Sequence, residues 1–509
     1  MKERERSAGV LMPVFSLPGE YGIGTFGKEA KQFIDFLKET GNSVWQVLPM
    51  GPTGYGDSPY QSFSSFAINP YFIDLETLEE EGFLTEEELH EEKLAFASSE
   101  EKIRYGLLYE RRFPLLRKAY ERWKAAGGNA SLLLSNLQKE TLDYCLFMAL
   151  KEEYASCPWQ EFPEALRNKE ASAVQTFLEE HREDVACYAF MQKKAEEQWR
   201  ALRDYAKECG VQILGDLPIY CAMDSADVWG NRKMFDFSEG EKGYPGFIAG
   251  VPPDAFSETG QLWGNPLYDW DTQKKEDYLF WCKRMEYCFR LYDILRVDHF
   301  RGFASYYAVP FAAEDAIHGE WRKGPGKDLF FAFHRYFQKE SLPVIAEDLG
   351  VITDDVKELM QEVGYPGMKV LQFAFGSDYE NTYLPHTFTN DCSVMYTGTH
   401  DNDTLTHWFQ TIGDWERGRI YHYLSRSAND WNAIPELLIK EAMSSTSYLC
   451  IIPIPDYLNL QEEGRINAPG TDQGNWQWRM KKEAFSVEKK QLIRDMLETY
   501  GRNRKEREK

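Results

Sequence analysis

DILRVDHF (residues 293–300) is a short apolar run that ends in charged side chains, and it is one of eight such runs in the chain. The others are GVLMPVF (9–15), SVWQVL (43–48), VQILGDLPI (211–219), PVIAEDLG (343–350), MKVLQFAF (368–375), VMYTGTHDND (394–403) and YLCIIPIPD (448–456). Seven of the eight are nearly continuous rather than alternating, as expected for parallel strands covered on both faces. Most segments between them read as helices. Ala30, Phe33, Ile34 and Leu37 follow the i, i+3, i+4, i+7 rule, and Gly41 stands where such a helix would stop. Eight units of this kind predict an α/β fold, a (β/α)8 TIM barrel, with polar residues at the C-terminal strand ends where that fold places its chemistry. A doubly wound sheet is the alternative, but no GxGxxG follows a strand to support it.

Spacing between the runs is uneven. About 160 residues separate the second from the third, so something is inserted there. Residues 76–206, rich in Glu, Lys, Leu and Ala, read as a mostly helical insertion between strands 2 and 3. Their acidic stretch TEEELHEEK (85–93) reads as a solvated helix face. The Gly- and Pro-rich interval 235–265, with aromatics among its turn residues, reads as a long active-site loop. With these insertions, residues 1–509 read as a single catalytic barrel domain.

Composition narrows the function. The chain has 509 residues, 43% of them apolar and 75 of them Phe, Tyr or Trp, which suits a large buried core and not a disordered protein. Its formal net charge of −24 repels polyanions, so neither nucleic acid nor an acidic membrane is an expected partner. The apolar run after the charged start is too short and Pro-broken for a signal-peptide core, and no stretch approaches a membrane span. Nine scattered Cys without a CxxC pair suggest reduced thiols and a cytoplasmic location.

Three strand ends offer acids. In Ile294–Asp298, Arg296 and Asp298 share one face by the period of two, so the guanidinium can hold the carboxylate ionised, as a nucleophile requires. A structural ion pair capping the strand is the bland reading. The run at 343–350 delivers Glu347 and Asp348, and VMYTGTHDND delivers His400, Asp401 and Asp403. Asp348 reads better as a loop hydrogen-bonder and Asp403 as a helix N-cap. A metal site at His400, Asp401 and Asp403 lacks a second His-rich cluster. Carboxyls paired across a cleft are what glycosidic-bond chemistry needs, one protonated and one ionised. Loop aromatics could flank them and offer flat faces to sugar C–H groups: Tyr55, Tyr60 and Phe63, Phe256 and Trp263, Trp476 and Trp478. No G-x-S-x-G elbow and no GxxxxGK[ST] phosphate loop is present.

Nearly end to end, the chain resembles the 4-alpha-glucanotransferases, or amylomaltases, of glycoside hydrolase family 77 in the alpha-amylase clan. The resemblance runs from GVLMPVFSLPGEYGIGTFG through SVWQVLPMGPTGYGDSPYQSFSSFAINP, GDLPIY, GVPPDAFSETGQLWGNPLYDW, LRVDHFRGF, IAEDLG and YTGTHDNDT to RINAPGT. It implies Asp298 as nucleophile, Glu347 as general acid/base and Asp401 as transition-state stabiliser, accompanied by Arg296 and His400. It further implies Asp216 as a contact to sugar hydroxyls at the donor subsite. Ser58, Tyr60, Asp254, Gln261, Trp263 and Asn467 are the further substrate-binding positions it suggests, and Tyr55 a residue of a second glucan-binding site. The family lacks the C-terminal β domain of many amylases, and only about 50 residues follow the last run here.

The activity so implied moves α-1,4-glucan segments to the 4-hydroxyl of an acceptor glucan or glucose by retaining double displacement, with no metal or organic cofactor, in a monomer or homodimer. Retention requires the two carboxyl groups roughly 5–5.5 Å apart. The rivals are an α-1,4-glucan hydrolase using the same acids and a catalytically silent glucan-binding protein.

Overall fold

All eight runs form strands, and all eight pair in parallel in one sheet of a computed structural model that describes residues 5–503 except 55, 99, 254–256, 351 and 472. The strands are β1 (Ser7–Leu11), β2 (Val44–Gln46), β3 (Gln212–Leu217), β4 (Ile294–Val297), β5 (Val344–Ala346), β6 (Gly367–Val370), β7 (Ser393–Tyr396) and β8 (Leu449–Pro453). Spatial order follows chain order, with β8 beside β1. Between β5 and β6 the Ala346 N–H donates to the Pro366 carbonyl at 2.9 Å, so the (β/α)8 barrel is nearly closed. Continuous apolar strands follow from this closure, because side chains of either parity meet protein. Val394, Met395 and Tyr396, successive on β7, have no exposed surface.

The helix Lys28–Thr40 buries Ala30, Phe33, Ile34 and Leu37 and ends at Gly41, whose φ of 87° is the left-handed closing conformation. Backbone packing is tighter at Gly215 on β3, where a Cβ would lie 2.1 Å from the Tyr292 ring. A methyl group there would drive the Tyr292 ring away from the strand that carries Asp216.

Helices fill the long interval between β2 and β3, from Leu75–Glu80 to the 28-residue Arg182–Cys209. Phe190 of that last helix packs on Tyr120 and Trp123 of the insertion, whereas Trp199 stacks near Phe26 and donates its indole N–H to the Leu291 carbonyl of the barrel. One helix therefore closes the insertion and serves as the crossover into β3. The acidic stretch 85–93 is not wholly a solvated face. Thr85 caps the helix Glu86–Phe96, Glu88 is clamped by Arg122, and Glu92 is buried against Arg111.

A larger correction concerns 235–265. Phe247–Val251 and Gln261–Pro266 are antiparallel strands, and with Ser305–Pro310 and Glu320–Lys323 they make a second, four-stranded sheet. Its partners lie in two different connections, after β3 and after β4, so the pairing is invisible to a reading of either segment alone. Among the described residues no strand follows Pro453.

Candidate active site

Register builds the centre of the site. Asp216 on β3 pairs with Arg296 on β4, and the guanidinium reaches sideways to it. Arg296 Nη1 donates to Asp216 Oδ1 and Oδ2 at 2.8 and 2.7 Å, and to Asp298 Oδ1 at 3.0 Å. The Tyr60 hydroxyl donates to Asp216 Oδ2 at 2.8 Å. The Asp216 side chain has no exposed surface and that of Arg296 only 4%, while Asp298 keeps 26%. Asp298 therefore faces the cleft and Asp216 stands behind it. This alters the expected place of Asp216: its oxygens hold Arg296 and Tyr60, so it shapes the site from beneath. Burial pushes the Asp216 carboxyl up, and the charge of Arg296 opposes that. Breaking the pair should be costly. Arg296→Leu is expected to lower stability by about 3–5 kcal/mol in a urea titration, because it strands a buried carboxylate. A loss below about 1 kcal/mol would mean that water already reaches Asp216.

Glu347 follows β5 one step beyond the pair Val297↔Ala346, at the level of Asp298. The ladder continues there, since the Glu347 N–H donates to the Val297 carbonyl at 3.0 Å. Neighbouring strands lie about 4.8 Å apart, so the two acids leave the barrel from backbone positions one strand spacing apart. Glu347 Oε2 accepts from the His299 N–H at 2.7 Å and Oε1 from the Leu349 N–H at 2.9 Å. Enclosure still dominates. Burial raises the carboxyl to about 7, reinforced by the charge of Asp298, against the pull of Arg296 and the two N–H groups. Asp348 turns away and accepts from the Met368 N–H at 2.6 Å, the loop role open to it from sequence.

Asp401 comes from the loop after β7, and its side chain is 45% exposed. Asn467 Nδ2 donates to Asp401 Oδ1 at 2.6 Å, and His400 Nε2 lies 3.3 Å from the same oxygen. The Asn467 N–H donates to the His400 carbonyl at 3.1 Å, so two loops distant in sequence are sewn together here. The third acid of the run goes elsewhere. Asp403 is not the N-cap of helix Leu405–Thr411; Thr404 is, and Asp403 pairs with His407 Nδ1 at 2.6 Å.

Aromatic rings line one side. The Tyr60 ring stacks on His400 with centroids 5.2 Å apart, and Trp476 lies 5.9 Å from both. Trp476 takes a φ of 62°, unusual for a bulky residue, and is held by its N–H on the Ile466 carbonyl and by the Tyr105 hydroxyl on its own carbonyl. Trp263 meets the His299 ring edge-on at 4.8 Å and donates its indole N–H to Gln261 Oε1 at 3.1 Å. Ser58 Oγ accepts from the Tyr60 N–H and so orders the turn that carries Tyr60. Phe63 is partly buried and packs on Phe147, and Trp478 is buried in the core to the same degree as Trp476. Tyr55, Asp254 and Phe256 lie outside the described residues.

Some residues of the site had no clear sequence signal. Gln61, adjacent to Tyr60, donates to the Trp263 carbonyl and to Asn265 Oδ1, both at 3.1 Å, and ties the turn that carries Tyr60 to the strand Gln261–Pro266. His299, adjacent to Asp298, packs on Trp263; burial lowers its imidazole to about 4, so the ring is neutral in the working range. Their position beside predicted residues was the one available hint.

Comparison with known proteins follows the same lines. The profile of glycoside hydrolase family 77, described as 4-alpha-glucanotransferase, matches residues 12–485. A 4-alpha-glucanotransferase of Thermus thermophilus is 42% identical over 98% of this chain and its own full length. Another from Clostridium butyricum is 42% identical over 96% of this chain and its full length, and a chloroplastic/amyloplastic one from Solanum tuberosum is 40% identical over 98% of this chain and 86% of its own. Among solved structures, the amylomaltase from Streptococcus agalactiae in complex with acarbose superposes with a TM-score of 0.93 at 36% identity, over 98% of this chain and all of that one.

Proposed function

Because the chain belongs to the 4-alpha-glucanotransferase family, we propose that it moves α-1,4-glucan segments from a donor maltooligosaccharide to an acceptor glucan or glucose, with Asp298, Glu347 and Asp401 as its catalytic residues. The observation that carries these roles is the contrast between two neighbouring acids: Glu347 raised to about 7 and Asp298 tied to the Arg296 guanidinium. Protonated Glu347 donates to the glycosidic oxygen as Asp298 attacks the anomeric carbon, so the C–O bond breaks and a glycosyl–Asp298 ester forms. The shortened glucan leaves, and the acceptor 4-hydroxyl enters. Glu347, now a carboxylate, takes the hydroxyl proton while the oxygen attacks the anomeric carbon and releases Asp298. Asp401 meets sugar hydroxyls more strongly as the ring flattens, which favours the transition state over bound substrate.

Arg296, His400, Tyr60 and Asn467 shape this donor pocket, with Asp216 beneath. Trp263 and Gln261 bound the acceptor side, where their strand of the second sheet excludes water in favour of a sugar. Asp254 and Tyr55 are assigned to glucan contacts on the resemblance alone. The protein is assigned to the cytoplasm as a monomer or homodimer, as one catalytic barrel whose partners are glucans and glucose. Supporting this, no helix among the described residues is long and apolar enough to cross a membrane.

Maltotriose distinguishes transfer from hydrolysis. Glucose plus longer oligomers at constant total reducing ends is the expected result; rising reducing ends would mark a hydrolase, and binding without turnover a silent glucan-binding protein. The pH profile checks the acid. Cleavage needs Glu347 protonated, so kcat/KM for donor cleavage should fall as pH rises through about 7. A profile flat to pH 9 would remove Glu347 from the acid role.

A further inference from the structure

The loop that carries Asn467 is clasped from behind by a set of charged groups that the reaction does not use. Arg465 Nε donates to the Asn467 carbonyl at 3.0 Å, and its Nη1 lies 3.6 Å from Asp403 Oδ2. That same oxygen takes the His407 Nδ1 contact at 2.6 Å, while Asp403 Oδ1 accepts from the Thr404 N–H at 2.8 Å. The Asp403 backbone is fixed too, since Gln372 Nε2 donates to its carbonyl at 2.9 Å. Asp403 is thus anchored to the barrel side and Arg465 to the Asn467 loop, and the ion pair between them joins the two. The Arg465 side chain is one-third exposed, so its contacts are not a core requirement.

The geometry points to Arg465 and Asp403 as positioning residues for Asp401. Asn467 is held at three points: its N–H by the His400 carbonyl, its C=O by Arg465, and its side chain by Asp401 Oδ1. With the backbone held on both sides, Nδ2 is aimed at one oxygen of Asp401, whose side chain is otherwise 45% exposed. Without Arg465 the Asn467 carbonyl is free to swing, and the Asp401 carboxylate loses its fixed plane. Positional error of this kind weakens contacts made in the transition state more than those of ground-state binding. The inference rests on the role of Asp401 given above and adds what makes that role effective.

The test is steady-state kinetics with maltotriose on the full-length protein. Arg465→Gln is expected to lower kcat about tenfold with KM within about twofold, and Arg465→Lys, which keeps the charge opposite Asp403, to recover part of it. Asp403→Asn should act in the same direction and serves in place of Arg465→Gln if that variant does not fold. In an Asn467→Ala background, Arg465→Gln should cost nothing further, because the residue it acts through is gone. Unchanged kcat, a change confined to KM, or full additivity with Asn467→Ala would overturn the proposal. Asp401→Asn is the control: if it keeps wild-type kcat, the assigned role of Asp401 fails first, independently of Arg465.

Discussion

Asp298→Asn is expected to fold, to melt near the wild-type temperature and to lose transfer by at least about 10⁴-fold in kcat, since removing a covalent nucleophile typically costs rates of that order. Folding should survive because the amide oxygen can still accept from Arg296, whose stronger partnership is with Asp216. The loss should persist with an α-maltosyl fluoride donor, because a better leaving group does not supply a nucleophile. Mass spectrometry of the quenched wild type with that donor should find a glycosyl ester on the peptide holding Asp298. Retention of more than a few per cent of activity by Asp298→Asn would reject the double-displacement assignment.

Glu347→Gln should cost about 10²–10⁴-fold with maltotriose, the range of general acid–base catalysis. Here the fluoride donor discriminates. Fluoride departs without a proton, so ester formation should recover while transfer to the acceptor hydroxyl stays slow for want of a base. Equal losses with both donors would reduce Glu347 to a structural group. The same residue makes a prediction about stability. Its carboxyl is at about 7 in the folded chain and near 4.5 when unfolded, so between those values the folded protein binds more protons. Stability contributed by this group therefore falls as pH rises from about 4.5 to 7, by of order 1–3 kcal/mol, and the cost is fully present above 7. Glu347→Gln should remove that part of the slope. The comparison is one of slopes, because Gln also gives up one of two acceptors that meet the His299 and Leu349 N–H groups.

The eight strands were legible because parallel strands buried on both faces must be apolar without alternation, and because polar residues gather at their C-terminal ends. The second sheet was not legible. Its strands Phe247–Val251 and Ser305–Pro310 come from separate connections, and their glycines, prolines and aromatics look like loop until the partner is present. That Tyr60 stacks on His400 and Trp263 meets His299 was visible only in space, since composition is the same whether a ring borders a cleft or fills a core.

The sequence by itself determined the barrel and the long insertion between β2 and β3, because both depend on periodicity and spacing, and it offered several acids at the strand ends. Tertiary structure alone decided which acids are free to meet substrate. Asp216, Asp348 and Asp403 are the same functional group as Asp298 and Asp401, yet each spends its oxygens on Arg296 and Tyr60, on the Met368 N–H, or on His407 and Thr404. It decided also that the Glu347 carboxyl is raised to about 7, by the burial that the surrounding segments impose. The reason in each case is local: a carboxyl's role depends on its partners and its access to water, and both are set by segments far away in the chain.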